Sequence, residues 1–209
     1  IALAVRLASD SSTREDALSL YERALAMSRR VLGDTHPRTA LVMNNLAAVL
    51  TDLENYPEAQ SLLEQSLTIH EQIYGVKHPH LAYVLVNLAK VEMRTQEYSA
   101  AYKHFGRALI IREAAMGATD SRTIRALRGL VQALGQLTQQ GDETAEYAAL
   151  PYHTCLIALE AAAGRLGEDQ KNLPGANMDP DRAAEKLHEL TQKLEAELNR
   201  PALPPEEEA

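Results

Sequence analysis

Three glycines, Gly33, Gly75 and Gly117, stand 42 residues apart, and the sequence around them repeats at the same step. Leu25, Leu67 and Leu109 share one register position, Ala17, Ala59 and Ala101 another, Tyr56 and Tyr98 a third. Asn45-Leu46-Ala47 returns as Asn87-Leu88-Ala89 and then, with the asparagine lost, as Gly129-Leu130-Val131. Gly33-Asp34-Thr35-His36-Pro37 returns as Gly75-Val76-Lys77-His78-Pro79. A period of this length constrains the fold strongly. A unit of about 40 residues cannot bury its apolar face alone, so such units must stack into a solenoid.

Each unit reads as two helices. Leu81, Val84, Leu85, Leu88 and Val91 follow His78-Pro79 at helical spacing. The polar pair Gln96-Glu97 ends that helix, and a second begins at Tyr98 with Ala101, Phe105, Ala108, Leu109 and Ile111 on its inner side. Glycine then supplies the left-handed conformation a helix end needs, and proline suits the first turn of the next helix. Small residues at Ala17, Ala24, Ala59, Ser66, Ala101 and Ala108 allow close helix approach, with Leu63 and Phe105 filling the gaps. Past Gly117 the pattern reaches Gly164 after 47 residues instead of 42, so five have been inserted, expected in the turn around Gln139-Gln140-Gly141-Asp142. Cys155 then falls on the packing position of Ala108 and reads as a buried small residue. Pro151 is expected to kink its helix.

These features predict an all-α, right-handed solenoid of antiparallel helix pairs over residues 1–165, with about three and a half to four units. Ile1 to Ser9 reads as the tail of a helix whose partner runs roughly from Arg14 to Leu32. The chain starts at Ile1 without Met, so a truncated first unit is expected, with any targeting peptide outside the sequence. A linker over 166–179 leads to Asp179-Pro180, a helix start. The amphipathic helix over 180–200 carries Leu187, Leu190, Leu194 and Leu198 on one stripe. It is expected to cap the open end of the solenoid, with dimerisation through the same stripe as the alternative. Residues 201–209 read as a disordered acidic tail.

Composition narrows the function classes. A net charge of −8, three units of it from Glu206, Glu207 and Glu208, argues against nucleic-acid binding. No run approaches the roughly 18 apolar residues of a membrane span. One cysteine excludes an internal disulfide framework and favours a reducing intracellular compartment, an organelle included. No phosphate-cradling loop, metalloprotease motif or nucleophile elbow is present, so no enzyme, cofactor or metal is expected. His36, His78 and His80 read as turn and cap chemistry rather than zinc ligands. Glu92 stands where neighbouring units have Leu50 and Leu134, without explanation from the sequence.

Asn44-Asn45-Leu46-Ala47, Tyr56-Pro57-Glu58-Ala59 and Gly75-Val76-Lys77-His78-Pro79, with their echoes 42 residues away, resemble the tetratricopeptide repeat. The likeness is to the longer 42-residue variety found in kinesin light chains and related bacterial and eukaryotic proteins. It implies a protein-binding adaptor or scaffold, in which the first helix of each pair lines a concave groove. By position that groove would include Leu41, Asn44, Asn45, Ala48, Thr51 and Asp52 from one unit. Tyr83, Val86, Asn87, Lys90, Met93 and Arg94 would come from the next, Arg125, Arg128, Gln132 and Gln136 from the third, and Arg6 and Asp10 from the leading helix. Lys90, Arg94, Arg125 and Arg128 on one side of an acidic chain would favour an acidic peptide. Some members grip a terminal carboxylate with a fixed Lys, Asn and Arg set; Asn87 and Arg125 match two of those places, while Asn44, Ala48 and Gly129 depart from it. Recognition of that kind is therefore not expected. The alternatives are a structural subunit of a larger assembly, or self-association through the terminal helices.

Overall fold

The computed structural model describes residues 14–167 and 170–200. The expected leading helix with Arg6 and Asp10, and the acidic tail, lie outside the described residues. Among those described, helices make up all the regular structure. They are α1 (Arg14–Leu32), α2 (Pro37–Asp52), α3 (Tyr56–Tyr74), α4 (Leu81–Arg94), α5 (Tyr98–Met116), α6 (Ser121–Gln139), α7 (Glu143–Ala162) and α8 (Pro180–Leu198). Sequential helices pack as antiparallel neighbours, while α2 touches α4 and α4 touches α6. Thus α2, α4 and α6 form one layer and α1, α3, α5 and α7 the other.

The repeated loop residues are helix stops and starts. Gly75 and Gly117 close α3 and α5 at φ +81° and +79°, ψ 162° and 168°, a backbone region open essentially to glycine alone. His36 Nδ1 accepts from the Arg38 amide at 3.1 Å, His78 Nδ1 from the His80 amide at 3.3 Å, and Asp120 Oδ1 from the Arg122 amide at 2.8 Å. One register position therefore caps three successive first helices, satisfying amides that would otherwise be unpaired.

Burial follows the repeat. Ala17, Ala59, Ala101, Ser66, Ala108 and Cys155 are fully buried, and Ser66 Oγ donates to the Ala40 carbonyl at 2.8 Å. Leu63, Leu85, Leu109 and Leu127 fill the space between layers, each contributing roughly 1.5–3 kcal/mol by leaving water. Phe105 replaces Leu63 one unit on, and its ring occupies the space a Cβ on Gly129 would need. The lost asparagine of the third unit thus has a packing cause.

The five inserted residues are not in the turn. The turns Leu53-Glu54-Asn55, Thr95-Gln96-Glu97 and Gln140-Gly141-Asp142 are equally long, each closed by an amide bond back to the preceding helix. The extra residues lengthen the helices instead: α6 has 19 residues against 16 in α2 and 14 in α4, and α7 has 20 against 19 in α5. Adding nearly a whole turn keeps the apolar face in phase, which a longer loop would not need to do. α7 runs without interruption through Pro151.

α8 packs on α5 and α7, not across the end of the first-helix layer. It covers the groove between two second helices. Gly106 of α5 admits it: a Cβ there would press Leu194 Cδ2 at 3.2 Å and Leu198 Cδ1 at 3.3 Å. Glu113 accepts from His188 at 2.9 Å and Thr191 at 3.3 Å, Tyr102 donates to Glu197 at 3.1 Å, and Lys77 pairs with Glu195 at 2.6 Å. With Leu187 and Leu194 buried, the apolar stripe is engaged within the chain. Self-association through it would require α8 to leave its seat.

Candidate peptide-binding groove

The proposed groove residues lie on α2, α4 and α6, and the structure sorts them into three groups. Asn44 is buried, accepting from Asn87 Nδ2 at 3.0 Å and facing Asn45 Oδ1 at 3.4 Å. This amide bridge spends Asn44 on joining two units and leaves Asn45 and Asn87 half-buried at the surface. Arg128 is turned to α7, where its Nε donates to Glu160 Oε1 at 3.0 Å and its Nη2 bonds the same oxygen. Arg94 is exposed in the last turn of α4, about 16 Å along the axis from Tyr83 at a helical rise of about 1.5 Å per residue. The four cations read from the sequence do not form one cluster. Tyr83, Lys90 and Arg125 remain, and two further arginines join them.

Those arginines are Arg112 near the end of α5 and Arg122 at the start of α6. Arg112 is 4% exposed; its Nη1 donates to the Arg122 carbonyl at 2.7 Å, and its Cζ lies 5.4 Å from the centroid of the Tyr83 ring. Arg122 is braced by Asp120, with Nε to Oδ1 at 3.0 Å and Nη2 to Oδ2 at 3.2 Å, and donates to the Tyr83 hydroxyl at 3.3 Å. Its hydrogen bonds hold the Asp120 carboxyl below the usual carboxylate range. Burial pulls the Lys90 ammonium down, and Arg125 adds to that while Asp52 opposes it. Burial lowers Arg112 too; Tyr83 opposes, and Arg125 and Arg122 add to the lowering. Arg125 is exposed, with no hydrogen bond or ion pair among the described residues.

One unit earlier the equivalent space is a cavity of about 300 Å³ lined by Leu41, Asn44, Asn45, His70, His80, Tyr83 and Val84. Its wall is mostly apolar. Buried His70 donates from Nδ1 to the Ser66 carbonyl at 2.8 Å, so Nε2 is the acceptor of the neutral ring. Burial holds the His70 pKa below the usual histidine value; the Ser66 hydrogen bond opposes this, and His80 and His78 add to it. Tyr74 stacks on His78 with centroids 4.6 Å apart and on His70 at 5.8 Å. The three neighbouring histidines thus form an aromatic cluster, and among the described residues no group of three or more His, Cys, Asp or Glu could hold a metal ion. Sequence reading missed His70, Arg112 and Arg122 because the 42-residue step was followed for lining residues only along the first helices.

Known proteins agree with this architecture. A tetratricopeptide-repeat family model matches residues 12–72 and again 38–92, and a second tetratricopeptide-repeat model matches 81–122. The chain belongs to the tetratricopeptide-repeat family. Its repeats are of the 42-residue, kinesin-light-chain-like type, and repeats of this family serve as protein-interaction scaffolds. Among solved structures, it is similar to the nearly identical TPR-like repeats of a candidate kinesin light chain from Podosopora anserina. That match has a TM-score of 0.66 and 19% identity, covering 95% of this chain and 94% of the other. A singly substituted form of those repeats gives 0.66 at 20% identity, covering 93% and 90%. BtubC (BKLC) from P. vanneervenii gives 0.50 at 17%, covering 94% and 78%. Identities this low speak for the shared tetratricopeptide-repeat fold alone. No curated protein matches the chain.

The same fold accounts for Glu92. It is buried in α4 and both carboxylate oxygens accept from His104 Nδ1 of α5, at 2.9 and 2.8 Å. A leucine position in the neighbouring units has become a buried acid–imidazole link between helices. Among the described residues no helix is long and apolar enough to cross a membrane.

Proposed function

We propose that this chain is a peptide-binding adaptor whose layer of first helices holds an extended acidic segment of a partner protein. The observation that carries this reading is the set Lys90, Arg112, Arg122 and Arg125 on the α4–α6 side of a chain with net charge −8. A local positive field on an acidic protein raises the encounter rate with acidic segments and selects against basic ones. The apolar cavity beside Leu41 and Val84 suits an uncharged side chain of the same peptide, and the half-buried Asn45 and Asn87 amides can meet its backbone from either direction. The adaptor acts by holding its ligand, without chemistry of its own.

A fluorescent peptide of Leu, Asp and Glu, compared with one carrying Lys at the acidic positions, tests this reading by anisotropy at low and physiological salt. The acidic peptide is expected to bind, to weaken as salt rises, and to be lost in the Lys90→Glu/Arg125→Glu double variant. Equal binding of both peptides, or indifference to that charge reversal, contradicts the reading. The alternative, a subunit that presents its outer layer to a larger assembly, draws on Tyr147 and Leu150 of α7, which are 83% and 62% exposed. It predicts that Tyr147→Ser/Leu150→Ser, not the charge reversal, abolishes association.

A further inference from the structure

The cavity beside Leu41 and the arginine cluster beside Tyr83 occupy the same place in successive units. Shifted by 42 residues, Leu41 becomes Tyr83, Asn45 becomes Asn87, His70 becomes Arg112, His80 becomes Arg122 and Tyr83 becomes Arg125. Two histidines and a tyrosine around one slot have all become arginine around the next. We propose that this second slot, formed by Arg112, Arg122, Arg125 and Lys90 around Tyr83, receives a phosphorylated side chain of the bound peptide.

The inference rests on the groove reading above and adds the class of anion. Four cations stand against two carboxylates, Asp120 on Arg122 and Asp52 near Lys90. Two positive charges are left without a counterpart. A glutamate side chain brings one negative charge and two oxygens, whereas a phosphate monoester brings nearly two charges and three strong acceptors. Two of the guanidinium groups are already fixed: Arg112 by the Arg122 carbonyl and the Tyr83 ring, Arg122 by Asp120 and the Tyr83 hydroxyl. Little side-chain freedom is therefore lost when they bind, and their planar forks match phosphate oxygens. A buried Arg112 with no carboxylate in contact is costly to an empty slot, and a dianion offsets that cost. The repulsion that Arg125 exerts on Lys90 and Arg112 points the same way.

The test uses the full chain and three probes: a fluorescent acidic peptide with one phosphoserine, a counterpart of equal net charge with two glutamates instead, and inorganic phosphate as competitor. The phosphopeptide is expected to bind at least tenfold tighter than its counterpart. That preference should vanish in Arg125→Gln and in Lys90→Gln, both at exposed positions, with unchanged circular dichroism. Equal affinity for the two peptides overturns the phosphate inference and leaves the acidic-peptide reading standing. Binding of neither peptide overturns both. Displacement of the phosphopeptide by an equal concentration of inorganic phosphate marks a free-anion site and also overturns the inference.

Discussion

The slot between α2 and α4 and the slot between α4 and α6 share a backbone and differ in chemistry. The first is apolar, with a buried neutral imidazole; the second holds a buried guanidinium and an exposed one where the first has tyrosine. The contrast extends to the contacts that join the units. Asn87 reaches across to Asn44 between the first pair, whereas at the next interface Phe105 has displaced the equivalent asparagine and packs on Gly129. The lesson is that a repeat fixes positions, and the side chains at those positions are free to set polarity one slot at a time.

The largest effect expected from breaking this contrast is on binding. Lys90→Glu/Arg125→Glu should lower affinity for an acidic peptide by about a hundredfold or more, since attraction becomes repulsion at the same place. Leu41→Ser in the neighbouring slot should lower it by about tenfold at most, with the salt dependence intact. Anisotropy titrations at two ionic strengths separate the two.

Next comes the packing difference. Gly129→Ala should cost about 1–3 kcal/mol, because the Phe105 ring must move or the helices part. Asn87→Ala, which removes one hydrogen bond, should cost about 1 kcal/mol. Urea unfolding measures both. A Gly129→Ala variant as stable as wild type would contradict the packing account of the missing asparagine.

A smaller effect distinguishes the two slots by pH. The folded-state pKa of His70 is lowered, so the folded chain resists protonation there while the unfolded chain accepts it near pH 6.5. Its contribution is fully present above about pH 6.5 and is lost as pH falls below that toward the folded value. The arginines one unit on do not titrate in that range. His70→Gln should therefore flatten the stability profile between pH 7.5 and 5.5, whereas Arg112→Gln should leave its shape unchanged. Smallest of all, Glu54→Gly and Gln96→Gly should each stabilise by about 0.5–1 kcal/mol. Both sit at positive φ, +61° and +65°, in turns where the third unit already has Gly141 at +91°.

Much of the fold was legible because the period marks both ends of each helix. Glycine at the stop and His-Pro at the start put α2 to α6 within a residue or two of where spacing placed them. The inserted residues were misplaced because a turn is the usual host for an insertion, while a lengthened helix leaves no local signature beyond continued spacing. The seat of α8 was not legible, since it depends on Gly106, a residue whose only mark is a missing side chain. In the groove, Tyr83, Asn45, Asn87, Lys90 and Arg125 were within reach of register reasoning. Arg128 was paired away by Glu160, and Asn44 by Asn87, through contacts that span 32 and 43 residues. Periodicity predicts where such residues stand, not which partner claims them.

The central claim is that the cations of α4, α5 and α6 converge on one slot and that ligand enters there. Following the Nε–Hε signals of the arginines by NMR during titration with the acidic peptide tests it directly. Arg112, Arg122 and Arg125 should shift together and saturate at one concentration, while Arg29 and Arg107, on α1 and α5 away from that slot, stay still. Shifts confined to Arg29 and Arg107, with Arg112 and Arg125 silent, would contradict the account.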